Sequence, residues 1–144
     1  MKPQARAILL ADHVYRDLET GKCIIAGTFN RIGADRFPAT HPSAALYLNI
    51  TDFTGHAELK LRIASDLTGE TLGEMTFGVE SQTRLGGCEA VVRLNNISFP
   101  EPGRYSMEVY CAGEYLGHLP LELVQHPIEP EQEPGQGSDR RGET

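Results

Sequence analysis

The most constraining feature of this chain is the alternation of apolar and polar side chains between Gly103 and Val124. Apolar residues recur at every second position from Tyr105 to Cys111 and, apart from Gly117, from Tyr115 to Leu123, and Ala112-Gly113 separates the two runs. Period-two alternation is typical of a half-buried strand, and a two-residue link with glycine is typical of a tight hairpin turn. A lone hairpin cannot cover its own apolar face, so we expect further strands. The predicted inward residues are Tyr105, Met107, Val109, Cys111, Tyr115, Leu119, Leu121 and Leu123.

The same rhythm recurs through most of the preceding chain. Its clearest example runs from Ala57 to Ile63, where a helix would instead repeat its apolar positions every three or four residues. Turns rich in glycine or proline separate about eight such segments, as in two-layer β proteins. We therefore predict that residues 1–125 form an all-β domain, an antiparallel two-sheet sandwich of immunoglobulin-like architecture.

Two irregular stretches carry their own predictions. Residues 33–42 contain two prolines, which cannot donate to a strand ladder, so we expect a crossover loop there. Between Leu94 and Ile97 the alternation slips by one position. One inserted residue would swap the inward face, and a β-bulge is the predicted cause.

The composition changes after Gln125. Residues 126–144 contain three prolines, three glycines and no aromatic residue. Such a segment buries too little apolar surface to offset its chain entropy, so we predict a disordered acidic tail.

Charge and targeting signals limit the possible partners and locations. The formal net charge is -7 and the 13 basic residues are scattered, which argues against nucleic-acid binding. The apolar run Ala7 to Ala11 is too short for a signal peptide, and no segment of the sequence reaches the length of a membrane span. We therefore expect a cytoplasmic protein that does not associate with membranes.

A resemblance to a known family rests on three segments: residues 8–32, the triplet Phe37-Pro38-Ala39 and residues 99–123. Together they resemble an uncharacterised family of small bacterial β-sandwich proteins, a domain of unknown function. The resemblance implies the fold and a bacterial, intracellular setting. It implies no activity.

Residues with catalytic or metal-binding potential do not form a recognisable pattern in the sequence. Asp12 and His13 are adjacent, and neighbouring strand residues point to opposite faces, so a site built on them with Arg31 would require all three to meet in one cleft. The three cysteines lack metal-ligand spacing, and nucleophile and phosphate-binding motifs are missing. We predict no catalytic residues, no metal, no cofactor and no enzymatic activity.

The remaining candidates are surface residues. Tyr47 and Tyr110 fall on the polar faces of their strands, where an exposed tyrosine often contacts a protein or a sugar. The leading hypothesis is a non-catalytic module that binds a protein partner, with the tail as a spacer. The alternative is a domain that binds a small ligand or carbohydrate. The sequence leaves the oligomeric state and the strand order open.

Overall fold

The computed structural model describes residues 2–83 and 85–126, and this part of the chain forms nine strands and no helix. All of the predicted tail except His126 therefore lies outside the described residues. The strands are β1 (Gln4–Arg16), β2 (Cys23–Thr28), β3 (Arg31–Ala34), β4 (Ala39–Thr51), β5 (Gly55–Ser65), β6 (Thr71–Ser81), β7 (Cys88–Phe99), β8 (Gly103–Cys111) and β9 (Glu114–Gln125).

The strands form two sheets. The first sheet is antiparallel and has the order β2-β1-β4-β7, and the second has the order β3-β9-β8-β5-β6. The prediction of an all-β, two-sheet chain is confirmed, but the prediction that both sheets are antiparallel is wrong. The second sheet is mixed because β3 runs parallel to β9, with Arg31 opposite Glu122 and Ala34 opposite Gln125. This short strand also corrects the predicted loop at 33–42, of which only residues 35–38 are irregular.

One apolar core joins the two sheets. The alternation predicted for β5 and β8 holds, since their inward side chains are at most 8% exposed. Burying a large aliphatic side chain contributes about 1.5–3 kcal/mol, so this shared core provides the main force that holds the sheets together. The first sheet contributes Leu10, Leu46, Leu48, Ile50, Val92, Leu94 and Phe99, and the second contributes Leu59, Leu61, Ile63, Tyr105, Met107, Val109, Cys111, Leu121 and Leu123.

The predicted β-bulge in β7 is absent. Ala44 pairs with Leu94 and His41 pairs with Ile97 in an unbroken register, so no residue is inserted. Between these pairs Pro42 stands opposite Asn96, whose φ is 53°. Up to Leu94 the even-numbered residues of β7 face inward, and after Asn96 the odd-numbered residues do. The left-handed backbone at Asn96 causes this change, and Pro42 opposite it has no N–H that needs a partner.

Candidate functional site

The outer face of the second sheet carries a cluster of tyrosines and charged side chains. Strand pairing assembles it: Lys60 lies opposite Tyr110 and Arg62 opposite Glu108. Glu108 in turn lies opposite His118 on β9. We call this cluster the tyrosine face, and it consists of Lys60, Arg62, Glu74, Glu108, Tyr110, Tyr115 and His118.

An ion pair between Arg62 and Glu108 lies at the centre of the tyrosine face. The Arg62 Nη1 atom donates to Glu108 Oε1 over 2.9 Å, and both side chains are about three-quarters covered. Arg62 is fixed further by bonds to the Thr71 hydroxyl at 2.8 Å and to the Gly69 carbonyl at 3.0 Å. Burial alone would raise the pKa of Glu108, but hydrogen bonds from Arg62 and Tyr110 hold this pKa below its usual value.

The two tyrosines pack edge to face beside this ion pair. Their ring centroids are 5.5 Å apart with an interplanar angle of 62°. The Tyr110 hydroxyl donates to Glu108 over 2.9 Å, and this bond to a carboxylate raises the pKa of Tyr110. Lys60 Nζ lies 5.2 Å from the Tyr110 ring centroid, within cation–π range. The predicted outward position of Tyr110 agrees with this half-buried placement.

Tyr115 is the most exposed tyrosine of the face, so its predicted position in the core is wrong. Its exposed fraction is 54%, and its hydroxyl lies 2.8 Å from His118 Nδ1. The cause is a register shift between Val109 and Tyr110, which turns the first residues of β9 to the other face. Gly117 lies within this strand opposite Val109, and an isolated strand glycine is the sequence signal that indicates such a shift.

Tyr47, the other predicted surface tyrosine, is only 7% exposed, so its expected exposure is wrong. It lies on the outer face of the first sheet in a small apolar cluster with Val14 and Ala45. Its hydroxyl donates to the Glu89 carboxylate, which also lies 3.8 Å from Arg16 Nη1. Burial, together with the bond to Glu89, raises the pKa of Tyr47 to about 12. Tyr47 is thus a structural hydrogen-bond donor at neutral pH.

Asp12 and Arg31 line one shallow groove of about 360 Å³ where the two sheets meet. Asp12 lies over Gly27, whose φ is 77° and whose added Cβ would be only 2.7 Å from Asp12 Oδ2. Arg31 Nε lies 3.4 Å from Glu122 Oε1. His13 instead stacks on Tyr15, with centroids 5.6 Å apart. The three residues of the hypothetical catalytic group therefore do not form one cluster.

The nine strands lie almost entirely within a segment that a protein-family model matches. A family model for a family of unknown function, DUF6941, matches residues 6–124. The chain belongs to this family. The match confirms the predicted membership of an uncharacterised family, and it includes every strand of the DUF6941 domain at least in part.

Other comparisons add no functional information to the DUF6941 domain. Comparison with curated proteins gave no match. Among solved structures, a Pseudomonas fluorescens alkylpurine DNA glycosylase, AlkC, bound to DNA with an abasic site analog is similar over 81% of this chain, at 15% identity and a TM-score of 0.39. A beta-glucosidase from Listeria innocua in complex with isofagomine is similar over 78% of this chain, at 12% identity and a TM-score of 0.40. This chain spans only 30% and 19% of those two structures.

Two further observations concern metal ligands and thiols in the DUF6941 domain. Within residues 2–83 and 85–126, no group of three or more His, Cys, Asp or Glu side chains could hold a metal ion. Burial raises the pKa of the Cys23, Cys88 and Cys111 thiols, which lowers their thiolate fraction and their reactivity.

Among residues 2–83 and 85–126, no helix is apolar and long enough to span a membrane.

Proposed function

We propose that the DUF6941 domain is a non-catalytic protein-interaction module that binds its partner through the tyrosine face. The observation that carries the proposal is the exposed Tyr115 ring, held by its contacts with Tyr110 and His118. Tyrosine and arginine, together with tryptophan, are enriched at the energetic centres of protein interfaces.

The side chains of the tyrosine face are already fixed by contacts with each other, and this favours binding. Immobilising a flexible side chain at an interface costs about 0.5–1.5 kcal/mol, and contacts that already fix Tyr115 and Arg62 reduce that cost. The charged groups beside the rings add specificity, because a partner must match Lys60 and Glu74 as well as cover the aromatic surface.

The position of the face supports a protein partner over a small ligand. The face extends across four neighbouring strands from β9 to β6, and none of its residues lines the groove of Asp12 and Arg31. Small ligands bind mainly in concave pockets, whereas protein interfaces are enriched in aromatic residues.

The test compares two tyrosines of equal exposure on different sheets. The wild-type chain, Tyr115→Ala and Tyr15→Ala are used to capture proteins from lysate of the source cells, since Tyr15 on β1 is 53% exposed and Tyr115 is 54% exposed. The proposal predicts a polypeptide retained by the wild type and by Tyr15→Ala and lost with Tyr115→Ala. A chain ending at Gln125 should retain the same polypeptide. Equal retention by both tyrosine variants would refute the proposal.

A second candidate function is binding of a small ligand in the groove of Asp12 and Arg31. Its volume of about 360 Å³ falls in the range of known ligand pockets, and the Phe29 and His41 rings lie beside the two charged groups. Saturation-transfer NMR with mixtures of monosaccharides and of amino acids tests this function. Binding that disappears in Arg31→Met would support it.

We also propose the finer features of fold and location that the sequence predicts. An immunoglobulin-like sandwich is supported by the orders β1-β4-β7 and β5-β8-β9, which match strands A-B-E and C-F-G of that fold. Tyr105 near the start of β8 donates to the Glu101 carbonyl, as in the tyrosine corner of such domains. The free thiols support a reducing compartment, and with the family resemblance they favour a bacterial cytoplasm.

A further inference from the structure

The outer edge of β6 has backbone groups without a partner strand among residues 2–83 and 85–126. In this part of the chain β6 is the last strand of the second sheet, so it pairs only with β5. The Ser65 N–H bonds to the Glu70 carbonyl on the β6 side, whereas the Glu58 carbonyl accepts from Ala112 beyond β8. The odd-numbered residues of β5 therefore direct their N–H and C=O groups to β6. They pair with odd-numbered residues of β6, as Ala57 does with Val79, so these β6 residues direct their backbone groups to β5. The backbone groups of Glu74, Thr76, Gly78 and Glu80 consequently point away from the sheet.

The opposite edge of this sheet differs because it contains Pro120. The Glu122 and His126 N–H groups donate to carbonyls of Asn30 and Ala34 on the β3 side. Pro120 is even-numbered like Glu122 and His126, so its backbone nitrogen faces the same side of β9. The pairing with β3 covers only residues 122–125, so an N–H at position 120 would point to the unpaired part of this edge. Proline removes that donor and disfavours pairing with another chain. The eleven residues of β6 contain no proline.

Side chains along β6 define what could pair with it. On the outer face are Glu74, Thr76 and Glu80, and β6 itself has no basic residue. On the inner face, Met75 is 41% exposed and borders a cavity of about 180 Å³ between β6 and β7. The cavity has both apolar and charged lining residues: Leu61, Ile63, Met75, Leu94 and Ile97 are apolar, and Glu74 and Arg93 are charged.

We propose that an extended segment of a partner polypeptide, with basic side chains alternating with apolar ones, adds to β6 as a further strand. Its backbone bonds to Glu74, Thr76, Gly78 and Glu80, as in other cases of β-strand addition. Its apolar side chains face the cavity beside Met75, and its basic side chains lie beside Glu74 and Glu80. The proposal shares Glu74 with the tyrosine face but does not depend on that face, because it uses the backbone groups of β6.

A second copy of this chain fits the edge of β6 less well than a basic partner segment does. In the antiparallel register that pairs all four edge residues, Glu74 would lie opposite Glu80 of the second copy, and Glu80 opposite its Glu74. Like charges directly opposite each other destabilise strand pairs. Lys60 lies 3.5 Å from Glu74 and offsets part of its charge, and Glu80 lies opposite His56. The net charge of -7 further favours a basic partner over a copy of the chain.

The test uses a fluorescein-labelled synthetic peptide of alternating lysine and valine, as long as β6, with binding followed by fluorescence anisotropy. Thr76→Pro removes one edge N–H that the pairing of β6 with β5 does not use, and Thr76→Val keeps that N–H. We expect Thr76→Pro to weaken binding about tenfold, since one hydrogen bond and the adjoining backbone fit are lost, and Thr76→Val to bind as the wild type does. Binding should also protect the amides of Glu74, Thr76, Gly78 and Glu80 from hydrogen exchange.

Altered peptides keep the test decisive if Thr76→Pro does not fold. A peptide N-methylated on alternate amides, and one with glutamate in place of lysine, should each bind at least about tenfold more weakly to the wild-type chain. The proposal is overturned if the lysine peptide fails to bind, if protection maps outside β6, or if the two Thr76 variants bind equally. It is also overturned if sedimentation shows that a second copy occupies this edge.

Discussion

Arg62 on β5 and Glu108 on β8 lie directly opposite each other, and their charged groups are 2.9 Å apart on the outer face of the second sheet. Both side chains are about three-quarters covered, so water screens this pair less than a fully exposed one. The pair fixes the surface on which Tyr110 packs, because Glu108 also accepts the Tyr110 hydroxyl bond. It therefore links the stability of the sheet to the order of the tyrosine face.

Replacing Glu108 by Gln should lower the free energy of unfolding at pH 7 by about 1–2 kcal/mol, since charge-assisted bonds from Arg62 and Tyr110 are lost. The folded pKa of Glu108 lies below its ordinary value of 4.5, so its contribution is present above that pH and disappears as the pH falls through the folded value. Urea unfolding from pH 7 to pH 3 measures both effects.

The control for this prediction is Glu74→Gln. Glu74 and Lys60 form a looser pair at 3.5 Å, with side chains 48% and 40% exposed, so the change should be below about 0.5 kcal/mol. If Glu108→Gln matched the wild type at every pH, the role given to the central ion pair would be wrong.

Replacing Tyr47 by Phe should change the alkaline limb of the stability curve. The folded pKa of Tyr47 is about 12 against an ordinary value of 10, so the folded state retains this proton longer than the unfolded state. Its contribution is complete below pH 10 and is lost as the pH rises towards 12. Wild-type stability should therefore fall relative to Tyr47→Phe across that window, measured by urea unfolding. Parallel curves for the two chains would contradict the burial of this hydroxyl.

Replacing Tyr105 by Phe tests the contact at the start of β8. Tyr105 is 1% exposed, and its hydroxyl donates to the Glu101 carbonyl over 2.6 Å. We expect a loss of about 1–2 kcal/mol in unfolding free energy, because phenylalanine keeps the packing against Phe99 but leaves the carbonyl without this donor. Tyr15→Phe, at an exposed site, serves as the control and should change stability little. A neutral effect of Tyr105→Phe would show that the corner contact is dispensable.

Replacing Pro120 by Val should promote self-association. Valine adds an N–H to the unpaired edge of β9 and has a high strand propensity. Pro120→Lys adds the same N–H together with a charge that opposes edge pairing, so it is the matched variant. Sedimentation velocity should show a larger associated fraction for Pro120→Val than for the wild type and Pro120→Lys. Identical profiles for all three chains would mean that Pro120 does not block this edge.

The fold was predictable where each strand faces one layer of core and one layer of solvent. Ala57 to Ile63 and Tyr105 to Cys111 are examples, because alternation alone defines their inward faces. The strand β3 was not predictable. It has four residues, and its pairing with β9 joins segments about ninety residues apart, which no local pattern encodes.

The candidate site was predictable only in part for a similar reason. Alternation indicated the outward position of Tyr110, but the exposure of an outward side chain depends on its cross-strand neighbours. Val14 and Ala45 pack beside Tyr47 and cover it, and the register shift at Val109 exposes Tyr115. Both effects arise from pairing between strands that are distant in sequence or offset by one residue.

The most direct test of the proposed function is photo-crosslinking in the source cells with benzoylphenylalanine in place of Tyr115 and, in a second chain, in place of Tyr15. If the tyrosine face binds a protein, position 115 should yield a discrete crosslinked polypeptide that position 15 does not. Addition of Glu108→Gln should reduce this product, since Glu108 helps to order the face. The account would be contradicted if position 115 gave no polypeptide adduct, or the same adducts as position 15.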